Sequence, residues 1–286
     1  MTLSLLRSFS ELSRNYDVVL SDIWGVVHNG EAAWPDACDA LARFRANGGS
    51  VVLISNAPRP GAIVQRHLDR LGVSRDVYDA IVTSGDVTRG EVEERRGQPL
   101  YHLGPDRDLG IYTGLDARIV PMEDAAYCVC SGLFDDRKET PDDYRDLLGR
   151  MRERHLFMIC ANPDIVVERG DLLLYCAGAL ADAYADIGGQ VLYAGKPHRP
   201  IYDQALARAA QVRGKDTSAS RVLAIGDSVR TDLTGAAKLG VDCLFVTSGI
   251  HSEEFGGREQ PDLEKVSAAL AAAKIFPRAV TQRLVW

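Results

Sequence analysis

Short apolar runs alternate with segments of helical period along nearly the whole chain. The runs DVVL (17–20), SVVLI (50–54), AIVTS (80–84), AYCVC (126–130), LFMIC (156–160), VLYA (191–194), RVLAI (221–225) and DCLFV (242–246) have the length of strands. Between them the pattern predicts helices over about 35–47, 60–71, 85–96, 201–213 and 231–239, several closed by a glycine such as Gly48, Gly72, Gly214 or Gly240. Alternation of this kind predicts a parallel sheet with crossover helices. The runs at 17–20, 50–54 and 221–225 are continuously apolar, as strands covered on both faces must be, and are expected at the centre of the sheet. At the N-terminus Leu5, Phe9, Leu12 and Tyr16 recur at three- and four-residue intervals, which predicts an amphipathic helix and not the apolar stretch of an export signal.

The 286 residues suffice for one large or two modest domains. The middle of the chain carries strands and helices of its own, between the glycine- and proline-bearing segments GQPLYHLGPD and DIGGQVLYAGKP. It is expected to be an inserted second domain over 99–192, with 1–98 and 193–286 forming the first. Apolar residues make up 46% and charged residues 26%, the composition of a soluble globular protein without a membrane span. The six cysteines include no C-x-x-C pair and read as buried thiols in a reducing cytoplasm. A net charge of -7, with no basic stripe, argues against a nucleic-acid partner and means that local groups must hold any anionic substrate.

Open α/β sheets bind ligands at the carboxyl ends of their strands, so the polar residues that follow apolar runs are the candidates for chemistry. Asp22 ends the run in VVLSDIWGVV, and Gly25 permits a sharp turn after it. In VVLISNAPRP, Ser55 and Asn56 precede a helix, where hydroxyl, amide and backbone N–H groups suit either a phosphate or ordinary capping. Lys196 sits in AGKPHRPIYDQAL just before a helix. In VLAIGDSVRTDLTGA, Asp227 follows a strand and Asp232 comes five residues later, a spacing that lets two carboxylates converge on a hard divalent cation.

The order Asp, Ser-Asn, Lys and Gly-Asp with a second Asp resembles the four motifs of the haloacid dehalogenase superfamily. The GKP and GDS-x-x-TD forms, TSG at 83–85, ANPD at 161–164 and the position of the insertion resemble its class IIA branch, which contains p-nitrophenylphosphatase and NagD-type sugar or nucleotide phosphatases. The resemblance implies a Rossmann-like parallel-sheet α/β core with an inserted α/β cap domain over 99–192. It implies a magnesium-dependent phosphatase acting on a small phosphorylated metabolite, a sugar or nucleotide phosphate, through an aspartyl-phosphate on Asp22. Asp22, Asp227, Asp232 and the backbone carbonyl of Trp24 would hold Mg2+; Lys196, Ser55 and Asn56 would hold the phosphate; and Arg59 would meet a second anionic group of the substrate. It also makes a homodimer reasonable.

One departure stands out. Phosphatases of this family carry a second Asp two residues after the nucleophile, which protonates the leaving group and then activates water, and here that position is Trp24. Loss of a positioned acid and base costs about 10²–10⁴-fold in each assisted step. The residues to consider in its place are His28, His198 and Asp164. The alternatives are a non-phosphatase hydrolase of the superfamily, as dehalogenases and phosphonatases lack that Asp, or a catalytically silent protein that binds a phosphorylated ligand.

Overall fold

A computed structural model describes residues 5–169 and 172–286. The chain divides into two compact units, one of Met1–Ser55, Val64–Val82 and Tyr202–Trp286, the other of Asn56–Ile63 and Thr83–Ile201. The strands in chain order are β1 (Val18–Asp22), β2 (Ser50–Ser55), β3 (Ala80–Thr83), β4 (Pro99–Leu103), β5 (Arg118–Ile119), β6 (Tyr127–Cys130) and β7 (Phe157–Cys160). They continue with β8 (Val166–Arg169), β9 (Leu172–Tyr175), β10 (Val191–Tyr193), β11 (Val222–Gly226), β12 (Asp242–Val246) and β13 (Ala279–Thr281). The helices are α1 (Ser10–Ser13), α2 (Pro35–Ala46), α3 (Gly61–Arg70), α4 (Ser84–Glu94), α5 (Arg145–Glu153), α6 (Ala177–Asp186), α7 (Arg199–Arg213), α8 (Thr234–Leu239) and α9 (Leu263–Ala273). All eight apolar runs form strands, and each predicted helical stretch contains a helix.

The first unit is built on a six-stranded sheet of order β13-β12-β11-β1-β2-β3, in which β1 runs parallel to both β11 and β2. The chain leaves β1 towards β2 and later returns on its other side through β11, so the carboxyl end of β1 is a topological switch point, where open α/β sheets place their ligands. Register levels the strand ends there. Asp22 pairs with Ile54 on one side, and Ser21 pairs with Ile225 on the other. Val18, Val19, Leu20, Val51, Val52 and Leu53 are wholly buried, which accounts for runs that are continuously apolar instead of alternating. Truncation of Leu53 to Ala would leave a void in this central layer, and an unfolding free energy lower by about 2–5 kcal/mol is expected in urea denaturation.

The second unit has a five-stranded sheet of order β10-β7-β6-β4-β5, parallel throughout, and an antiparallel β8–β9 hairpin. Its central strands β6 and β7 are covered on both faces. Cys128, Cys130, Met158 and Cys160 pack with Leu148, Met151, Leu180 and Tyr184 of α5 and α6. Tyr127, Val129 and Ile159 face the opposite way, towards Val92, Ile111 and Tyr112. Burial pushes the thiols of Cys130 and Cys160 well above their ordinary range, so these cysteines act as small apolar fillers, and all six cysteines are free. No helix among the described residues is long and apolar enough to cross a membrane.

The N-terminal segment departs from its helical periodicity. Only Ser10–Ser13 is helical; Leu5 bridges to Val280, and Leu6 N–H donates to the Val280 carbonyl at 2.7 Å. The edge strand β13 offers unpaired backbone groups, and pairing with them outweighs a weak helical preference in a stretch with Ser8, Ser10 and Ser13. Residues 1–4 of that predicted helix lie outside the described residues. Phe9 still reaches the core through its rings with Phe44 and Trp286, at centroid distances of 5.6 and 6.0 Å, while Leu284 is buried, so the C-terminal segment packs on its own unit.

Candidate active site

At the carboxyl edge of the first unit's sheet, Asp22, Asp227 and Asp232 each turn one carboxylate oxygen to a common point, all within 4.8 Å of one another, and all three residues are buried. Each element has a reason to deliver its side chain there. Asp22 is the last residue of β1, and its Oδ1 accepts the Ile23 N–H at 2.8 Å, which fixes the rotamer. Asp227 directly follows β11, and its Oδ2 accepts the Ile250 N–H at 2.7 Å. Asp232 lies in a single π-type turn, Val229–Leu233, and takes the Ser228 N–H at 3.1 Å.

Glycines make this crowding possible. A Cβ on Gly25 or on Gly249 would overlap Asp227 Oδ2, and one on Gly226 would overlap the Asp232 carboxyl. Gly25 also has φ +80, in the left-handed region that only glycine enters without strain. Two ionised carboxylates at such a separation repel by about 3 kcal/mol or more at an effective dielectric of roughly 20. A donor set of hard oxygens under that repulsion fits a divalent cation of the magnesium or calcium kind.

Trp24 follows in the same loop, with its side chain 45% exposed and its ring edge-to-face with His28 at 5.3 Å. His28 is buried, and its Nδ1 accepts the Gly30 N–H at 2.8 Å, so the neutral ring carries its proton on Nε2. Burial, aided by His67 at a ring distance of 5.5 Å, pushes the His28 pKa from 6.5 down to about 4. Above pH 6.5 the folded and unfolded chains both carry the neutral ring. As pH falls from there to about 4, only the unfolded chain takes up the proton, and stability is lost across that window by up to about 3 kcal/mol. Urea midpoints measured against pH should show this slope, and His28→Asn, whose amide oxygen can accept from Gly30, should flatten it.

The second unit holds the other residues expected from the sequence, Ser55 excepted. Asn56 Oδ1 accepts the Lys196 backbone N–H at 2.7 Å, while Nδ2 donates to the Lys196 carbonyl at 3.0 Å and to Asp164 Oδ1 at 2.9 Å. One amide thus ties the segments around residues 56, 164 and 196 together, and Gly195 leaves room for it, since a Cβ there would overlap Asn56 Oδ1. Lys196 is buried, where an ammonium group needs anionic or hydrogen-bonding company. The Lys196–Pro197 peptide is cis. Arg59 is half exposed, 3.8 Å from Asp108. The TSG at 83–85 supports this loop: Thr83 Oγ1 donates to the Arg59 carbonyl at 2.6 Å, Gly85 N–H donates to the Ala57 carbonyl at 3.1 Å, and a Cβ on Gly85 would strike the Arg59 backbone. His198 stacks on Tyr193 at 4.3 Å. Ser55 ends β2 in the first unit, half buried.

Two features escape the sequence reading. The segment TSG at 247–249, after β12, supplies the glycine against Asp227 and leads into the N–H that binds it; the second occurrence of TSG after a strand is the signal that points to it. In the second unit, Asp108, His102 and Ser131 are buried at or just beyond the carboxyl ends of β4 and β6. Burial raises the Asp108 pKa against the opposing pull of Arg59. Nothing in the spacing of these three residues announces them.

A parallel α/β sheet with three carboxylates converging at its switch point defines an α/β enzyme core of the acidic-site type. Residues 19–117 match the family of haloacid dehalogenase-like hydrolases, and residues 193–273 match the HAD-hydrolase-like family. A crystal structure of a hydrolase of the haloacid dehalogenase-like family from Brucella suis is 46% identical, covering 98% of this chain and 100% of that one, with a TM-score of 0.85. This chain belongs to the haloacid dehalogenase-like family of hydrolytic enzymes. The 5'-nucleotidase YutF of Bacillus subtilis is 25% identical over 90% of this chain and 96% of its own length. The fold is shared as well with a glycerol phosphate phosphatase from Mycobacterium tuberculosis, solved in complex with magnesium, at a TM-score of 0.65 and 23% identity over 88% of this chain and 74% of that one.

Proposed function

We propose that the chain is a magnesium-dependent phosphatase of a small phosphorylated metabolite, a sugar or nucleotide phosphate, that works through an aspartyl-phosphate on Asp22. The observation that carries this reading is the buried convergence of Asp22, Asp227 and Asp232 at a switch point. The activities for which two relatives are named, a 5'-nucleotidase and a glycerol phosphate phosphatase, support phosphate monoesters as the substrate class. Asp22, Asp227, Asp232 and the Trp24 backbone carbonyl would hold the cation. Bound there, magnesium supplies positive charge against the anionic nucleophile and phosphate.

The chain's own residues divide the remaining work. An Asp22 oxygen attacks phosphorus, and the hydrogen bond from Ile23 N–H holds that carboxylate in its rotamer. The Ser55 hydroxyl and the backbone N–H of Asn56 donate to phosphate oxygens, Lys196 adds positive charge, and Arg59 meets a second anionic group of the substrate. The cap of this reading is 99–192, and the six free cysteines suit a reducing cytoplasm. A homodimer is proposed with it.

The test is phosphate release from a panel of phosphorylated metabolites with magnesium and after chelation. Release that needs both the metal and Asp22 supports the reading. Binding of phosphate without release from any compound favours the second reading, a phospho-ligand binder, which the indole at position 24 motivates.

A further inference from the structure

A cavity of about 240 Å³ lies in the first unit, and none of the three converging carboxylates lines it. The loop after β1, the start of α2, the end of β12 and the C-terminal segment form its walls, which Val26, Trp34, Val246 and Leu284 make largely apolar. Donor groups interrupt those walls at two places. Trp34 is the N-cap of the 12-residue helix α2 and gives no side-chain cap, and Pro35 has no N–H. The first uncapped donors of the helix are therefore the N–H groups of Asp36 and Ala37, two residues that line the cavity at the positive end of the helix dipole. Ser248 lines it from the end of β12 and is only 8% exposed. Its backbone N–H donates to the Gln282 carbonyl at 3.1 Å, while its hydroxyl has no hydrogen-bond partner among the described residues. A hydroxyl withdrawn from water and left unpaired costs free energy, and the cavity is the space in which a partner fits. Arg283 adds a cation to the same lining: its guanidinium lies 5.2 Å from the Trp34 ring centroid and pairs with Glu259. Asp36 is exposed, so solvent screens its charge.

We propose that this cavity is a second binding site, for a small organic monocarboxylate. One end of the ligand is set by the donors: its carboxylate oxygens accept from the Ser248 hydroxyl and from the N–H groups that open α2. The other end is set by the walls, where a short hydrocarbon body lies against Val26, Val246 and Leu284. At roughly 30 Å³ for each water-sized volume, the space holds about eight non-hydrogen atoms, the size of hexanoate. A single negative charge suits the lining better than the double charge of a phosphate monoester, because Glu259 already pairs with Arg283 and Asp36 stands at the rim. The site goes beyond the phosphatase reading, since none of its lining residues attacks phosphorus or holds the cation. It is nevertheless a neighbour of the acidic cluster. Gly25 lines the cavity and Gly249 follows Ser248, and a Cβ on either glycine would overlap Asp227 Oδ2, so the ligand rests on the segments that buttress Asp227.

The test is isothermal titration calorimetry of the full chain, without magnesium, against hexanoate, its neutral counterpart hexanol, and inorganic phosphate. Hexanoate is expected to bind the wild type with a dissociation constant of about 1 mM or tighter. Ser248→Ala should weaken that binding by about tenfold or more, the worth of a hydrogen bond to a charged group. Its urea midpoint should stay at or above that of the wild type, because the hydroxyl removed has no partner in the folded chain. Arg283→Gln should weaken binding by about threefold, as expected of a cation that is partly solvated. Hexanoate bound equally by the wild type and Ser248→Ala overturns the proposal, as does hexanoate that fails to bind at all. Hexanol bound as tightly as hexanoate reduces the cavity to an apolar pocket, and phosphate bound in place of hexanoate overturns the ligand class. Should Ser248→Ala fail to fold, Arg283→Gln and the comparison of hexanoate with hexanol decide. Each of these results leaves the phosphatase reading where it stands, because that reading is tested by phosphate release through Asp22.

Discussion

Asp22→Asn is expected to lower magnesium-dependent phosphate release by at least about 10⁴-fold, because the amide keeps the shape of the carboxylate and removes the nucleophilic charge. The fold should survive. Asp22 closes a strand whose neighbours are wholly buried apolar residues, and an amide oxygen can still accept the Ile23 N–H. The far-UV circular dichroism of the variant should match the wild type and its urea midpoint should not fall below it, which separates loss of chemistry from loss of structure. Relief of repulsion among the three carboxylates should even raise its stability slightly when no metal is present.

The second large effect is expected on the cation and not on the chemistry. Asp227→Asn removes one of three hard anionic donors and should weaken magnesium binding by at least about 10²-fold. Gly249→Ala should do the same without touching a donor, since its new Cβ would occupy the place of Asp227 Oδ2 and push the carboxylate out of register. The measurement is the rise in melting temperature as magnesium is added. A cation that binds only the folded chain stabilises it by an amount that grows with its concentration over the dissociation constant. In the wild type the midpoint should climb with metal. In both variants the climb should begin only at much higher concentrations. A wild-type midpoint indifferent to magnesium would remove the acidic cluster from the account.

Much of this was legible in the sequence because parallel sheets write themselves plainly. A strand covered on both faces must be largely apolar, and the polar residues at its carboxyl end lie at the edge where ligands bind; Asp22 and Asp227 are such residues. The five-residue gap from Asp227 to Asp232 was readable as convergence only in principle. It is realised by a π-type turn that no propensity pattern encodes, with Gly226 removing the side chain that would block it. Close approach explains the other omissions. Gly249 is 22 residues downstream of Asp227, and only the folded β12 end brings them together. The burial of His28 likewise depends on its loop bridging to Trp24 and Ala33, which its sequence neighbours do not specify. At the N-terminus a genuine helical period was present, but the open edge of β13 took the segment instead.

The most direct test of the central claim is to mix the enzyme with magnesium and 4-nitrophenyl phosphate, quench with acid within a turnover, and locate the added mass by peptide mass spectrometry. One phosphoryl group on the peptide containing Asp22, absent from Asp22→Asn, is the predicted result. Phosphate released at the wild-type rate by Asp22→Asn, or a phosphoryl group found on a different residue, would contradict it.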